Sequence, residues 1–78
     1  MVKVAIEKED AIAWISKMTE KLIASESFYQ ERLDRDETIE RIIEVFDEFS
    51  TEELKEIGDE DIRERIDSIL TLYAVRAP

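Results

Sequence analysis

The stretch DETIERIIEVFDEF, residues 36–49, decides how the chain folds. At about 100° of rotation per residue, Ile39, Ile42, Ile43, Val45, Phe46 and Phe49 fall on one half of a helical wheel. Every charged residue falls on the other half. The pattern predicts a helix over 36–49, capped at its start by Asp34 or Asp36. The polar half is unusual. Asp36, Glu40, Glu44 and Glu48 follow one another at i,i+4 spacing, where like charges repel, and Asp47 lies beside them.

Outward from this segment, three further helices are expected. Upstream, Ala11, Ile12, Trp14, Ile15, Met18, Leu22 and Ile23 form one apolar side of a helix over about 8–24. Glu9 and Asp10 stand in its first turn, where the helix dipole favours negative charge. Residues 25–33, SESFYQERL, either continue that helix or form a loop that plugs Phe28 and Leu33 into the core. Ser25 and Ser27 favour a break, because serine competes for nearby backbone groups. Phe28 and Tyr29 are adjacent, so a helix would point them about 100° apart and only one could face inward. Tyr29 is the expected exposed anchor for a partner.

Downstream, STEELKEIG (50–58) encodes a short helix over 51–57. Ser50 and Glu53 make a capping box, and Gly58, the only glycine, sits where a left-handed terminal residue belongs. Asp59 should cap a last helix over about 60–75, with the stripe Ile62, Ile66, Ile69, Leu70 and Tyr73. Asp61–Arg65 and Glu60–Arg63 are spaced to pair along it. Three longer helices and one short one, each with a single apolar side, predict an all-α fold: a compact antiparallel bundle. The expected organisation is a single helical domain over 1–78. An apolar arm at 1–6 (Val2, Val4, Ile6) packs on it, and a tail at 76–78 frays.

Composition narrows the chemistry. The 78 residues include 11 basic and 21 acidic ones, for a formal net charge of −10. That balance disfavours direct attraction to nucleic acid or to an anionic membrane. No apolar run approaches the roughly 18 residues of a membrane span, and no secretory signal opens the chain, so a cytoplasmic protein is expected. Histidine and cysteine are absent. This removes the commonest acid–base group and all thiol chemistry. Carboxylate pairs arise by number alone in so acidic a chain, and a small bundle offers little room for a catalytic cleft. DRDET (34–38) starts like a calcium loop, but Ile39 takes the required glycine position and Val45 the bidentate glutamate position. GDED (58–61) fails in the same way, with Leu70 at the twelfth place. No enzyme, metal or cofactor is expected.

The order of helices and the acidic 34–49 segment, DRDETIERIIEVFDEF, resemble the acyl carrier proteins, whose second helix opens Asp-Ser-Leu and ends in an acidic run before Phe. SF at 27–28 falls in a comparable loop position. The resemblance covers about a third of the chain. It implies a carrier-like shape without the phosphopantetheine arm, because Arg35 follows Asp34 and Glu37 follows Asp36 where that family has its serine.

Two explanations remain for the carboxylate ladder. One is a solvated face in an acidic proteome. The other is an anionic strip of Asp36, Glu40, Glu44, Asp47 and Glu48 that binds a basic protein partner, with carboxylates rising about 6 Å per step, close to the phosphate spacing along a nucleic-acid strand. The expected function is therefore a non-enzymatic module that modulates or inhibits a basic macromolecular partner, with nucleic-acid-binding proteins among the candidates. The alternatives are a structural subunit that dimerises through the apolar arm and Tyr29, and an acyl-carrier-like scaffold.

Overall fold

The computed structural model describes residues 8–76. The expected arm at 1–6 and all but the first residue of the expected tail lie outside the described residues. Five helices follow one another: α1 Lys8–Ala24, α2 Ser27–Arg32, α3 Arg35–Asp47, α4 Thr51–Ile57 and α5 Asp59–Arg76. No strand occurs among the described residues.

The helix ends follow from local chemistry. Asp34 is the cap of α3: its Oδ1 accepts from the Glu37 amide at 3.0 Å, satisfying a donor the helix itself leaves orphaned. Ser50 and Glu53 form the full reciprocal box at the start of α4, with bonds of 3.0 and 2.8 Å. Gly58 has φ +88° as expected, but ψ 157° takes it out of the left-handed helical region into one that only glycine occupies readily. Its amide donates to Leu54 O at 3.1 Å and its carbonyl accepts from Ile62 N at 3.0 Å. One residue thus ends α4 and starts α5. Asp59 is the first helical residue of α5 and does not cap it as expected.

Residues 25–33 hold a fifth helix that the sequence left undecided. Ser25 stops α1: its Oγ donates to Leu22 O at 2.8 Å and its amide to Lys21 O at 3.0 Å. Glu26 is then extended, with φ −131° and ψ 123°, so α2 starts on a new axis. Gln30 Nε2 donates back to Ala24 O at 2.7 Å and ties the two helices together. Leu33 packs on the core, whereas Phe28 does not.

The core is built from the stripes read off the sequence. Ile15, Ile42, Phe46, Ile66 and Leu70 are sealed from solvent, joined by Ile23, Leu54 and Ile62. Trp14, Met18, Leu22, Phe49 and Ile69 pack around them. α1 packs chiefly on α3, and α5 touches each of the other four helices. Three buried residues carry little apolar signal. Ala74 extends the α5 stripe by one turn. Thr19 and Thr38 are also inside, and the Thr19 hydroxyl satisfies itself by donating to Ile15 O at 2.8 Å.

Candidate functional site

The outward side of α3 holds the candidate site. Its buried residues Thr38, Ile42 and Phe46 recur at i,i+4, which turns the opposite side of the helix away from the core. Asp36, Glu40, Glu44, Asp47 and Glu48 are all exposed on that side. The capping aspartate and the apolar stripe together set this orientation.

Among the described residues, cations touch the strip only at its ends. Arg35 Nε lies 3.5 Å from Asp36 Oδ1, while Arg35 also reaches Glu20 of α1 at 3.3 Å. Lys8 donates to the Asp47 carbonyl at 2.9 Å, with the Asp47 carboxylate 3.7 Å away. Both are exposed pairs, worth at most about 1 kcal/mol each. Glu40, Glu44 and Glu48 form no ion pair with a described residue. Neither does any basic residue stand in the last turn of α3, where three of the acids face the negative end of the helix dipole. The nearest cation on α3, Arg41, is turned aside. It pairs with Glu37 at 3.2 Å and lies 6.0 Å from the centre of the Tyr73 ring on α5.

Tyr29 does not belong to this surface. Only 6% of it is exposed, and its hydroxyl donates to Asp67 Oδ1 at 2.8 Å with Thr71 Oγ1 also 2.8 Å away. Burial, reinforced by the Asp67 carboxylate, raises its pKa above the ordinary 10.0, although the Thr71 hydrogen bond opposes the shift. The expectation of an exposed Tyr29 anchor is therefore corrected. The tyrosine turns inward because α5 supplies polar partners for its hydroxyl, which Phe28 could not use. Phe28 is the outward member of the pair, 40% exposed, with the Arg32 guanidinium 4.7 Å above its ring. Which ring faces α5 is decided by tertiary contact, since the sequence offers two adjacent aromatics of similar size.

The two ion pairs expected along α5, Asp61–Arg65 and Glu60–Arg63, are not formed within 4.0 Å. Arg65 instead faces the seam between α3 and α5, beside Phe49 and Ile69. A separate apolar cleft of about 240 Å³ lies between α1, α4 and α5, floored by Ala11, Trp14, Leu54 and Ile62. No group of three or more potential metal ligands converges among the described residues. No helix among them is long and apolar enough to cross a membrane.

No family model, curated protein or solved structure matches the chain.

Proposed function

We propose that the protein is a non-enzymatic binding module of the cytoplasm that modulates or inhibits a basic macromolecular partner through the outward side of α3. The supporting observation is the uncompensated centre of the strip: Glu40, Glu44 and Glu48 are exposed and unpaired among the described residues. A ladder of carboxylates at about 6 Å intervals offers a rigid row of negative charge. A protein groove that holds a nucleic-acid backbone has the complementary lysines and arginines. Such complementarity raises association rate and selectivity, with affinity added by apolar contacts nearby. Alternating up and down runs of α1, α3 and α5 would hold the strip on one flank of the bundle.

The test is a comparison of the wild-type chain with the triple variant Glu40→Gln, Glu44→Gln, Glu48→Gln. Each is immobilised in an extract of its native host at low salt, and bound nucleic-acid-binding proteins are quantified with and without competing nucleic acid. The proposal requires capture by the wild type that the competitor removes and the variant lacks. Equal capture by both proteins overturns it.

A homo-oligomeric subunit is the second reading. Leu72 and Val75 on α5, 50% and 65% exposed, favour it. It requires a mass that rises with concentration in size-exclusion chromatography with light scattering.

A further inference from the structure

Beside the carboxylate strip, the described residues leave an apolar seam between α3 and α5 uncovered. Two shallow depressions of about 350 Å³ each adjoin one another at Phe49 and Arg65 and together make up the groove. Its apolar lining is Val45, Phe49, Ile57 and Ile69, over the buried Phe46. Val45 is 40% exposed although it lies on the apolar half of the α3 wheel. Leu72, three residues beyond Ile69 and four beyond Ser68, prolongs the same side of α5 and is 50% exposed. The opposite side of α5 is already covered, because Asp67 and Thr71 hold Tyr29 of α2 there.

The rims of this groove are mainly acidic. On the α3 side the neighbours of Val45 one turn away are Glu48 and Arg41, and Arg41 is already paired with Glu37. Glu64 lines the α5 rim, and Glu56 lies toward α4. Arg65 is the one basic residue among the described residues lining it. An apolar floor between carboxylate rims matches an apolar stripe flanked by lysines or arginines. The occupant must also satisfy its own backbone, since an apolar groove between two helices offers no strand edge to pair with. A helix does so internally.

We propose that the groove between α3 and α5 receives a cationic amphipathic helix of the partner. Its apolar stripe covers Val45, Phe49, Ile69 and Leu72, and its cations reach Glu48, Glu56 and Glu64. This inference rests on the anionic-strip reading above and deepens it. The strip supplies attraction to basic partners in general; the groove selects those that present a helix with an apolar stripe.

The two are separated by fluorescence anisotropy at low salt with three defined probes. One is a synthetic Leu/Lys peptide of about five turns patterned as an amphipathic helix. The second is its scrambled isomer without an apolar face, and the third is oligolysine of equal charge. The groove predicts binding of the first at least about tenfold tighter than the second. Val45→Asp or Leu72→Asp should abolish that advantage while leaving oligolysine binding in place. Both positions are partly exposed, and circular dichroism with Trp14 emission identifies a variant that has not folded. Should the patterned and scrambled peptides bind alike, and lose affinity alike in the triple glutamine variant, the groove is refuted and the strip stands. Should none of the three bind, both fall. Retention of the advantage by both aspartate variants also overturns the groove.

Discussion

Neutralising the centre of the strip should make the protein more stable while it loses its partner. Asp36–Glu40, Glu40–Glu44 and Glu44–Glu48 are three like-charged i,i+4 pairs along α3 and its C-cap, Glu48, and each costs about 0.2–0.5 kcal/mol. Glu44 and Glu48 add a second penalty. They lie at the C-terminal end of α3, whose last turn has no base of its own and where Lys8 of α1 offsets the dipole only in part through the Asp47 carbonyl, and opposing the dipole costs about 0.3–1 kcal/mol per charge. Solvent screening on an exposed face puts the sum nearer the lower bounds, about 1–2 kcal/mol. The variant Glu40→Gln, Glu44→Gln, Glu48→Gln removes all of these terms, and glutamine matches glutamate in helix propensity. For a domain of this size the gain corresponds to a rise in Tm of about 4–8 °C per kcal/mol. Thermal unfolding followed at the helix band measures it. Salt supplies an internal control: the wild type should gain stability between about 0.02 and 0.5 M NaCl, and the variant far less. A variant no more stable than the wild type at low salt would show that the charges are already compensated. The claim of an open negative strip would then fail.

Gly58→Ala should destabilise by about 1–3 kcal/mol in denaturant unfolding, because the residue holds φ +88° and ψ 157°. A Cβ there would meet nothing within 4 Å, so the loss is conformational and Ser or Asp at the same position should lose a comparable amount. Phe46→Ala, at a residue sealed from solvent where α3 meets the core, should cost about 3–5 kcal/mol and leave little folded protein at 37 °C by circular dichroism. Tyr29→Phe should cost about 1 kcal/mol through loss of the bonds to Asp67 and Thr71, since the exposed carboxylate regains water. The same tyrosine gives a pH signature. Its pKa is raised on folding, so the folded state holds its proton more tightly than the unfolded chain. The associated stability is fully present below about pH 10, the ordinary tyrosine range, and is lost as pH rises through the folded value. Absorbance titration of the Tyr73→Phe variant, in which Tyr29 is the remaining tyrosine, should place its midpoint above 10. A midpoint at or below 10 would contradict the buried hydroxyl.

Much of the helical pattern was legible before any coordinates, for a local reason. The caps at Asp34 and Ser50 depend on contacts three residues apart, and the stripes of α1, α3 and α5 depend on a fixed 3.6-residue period. Such features are complete within one or two turns, so residue order suffices to specify them. The outward placement of Asp36, Glu40, Glu44, Asp47 and Glu48 follows from the same period once the opposite side is committed to the core.

Other features required the folded chain. Gly58 could be read as a helix stop, but its second role as the first acceptor of α5 depends on how α4 and α5 meet. Between Phe28 and Tyr29 the choice was made by Asp67 and Thr71, 38 and 42 residues away, which give a buried hydroxyl the partners it needs. Thr19 and Thr38 are inside because α1 and α3 close over them, not because threonine seeks a core. Likewise Val45 has an apolar address on its own helix and still faces solvent, since its cover depends on a neighbour that no described residue supplies. Residue order determined the caps, the stripes and the row of carboxylates, because each is settled within a few turns of one helix. Only the assembled helices decided which aromatic is buried and where an apolar seam stays open, because those outcomes depend on distances between residues far apart in the chain.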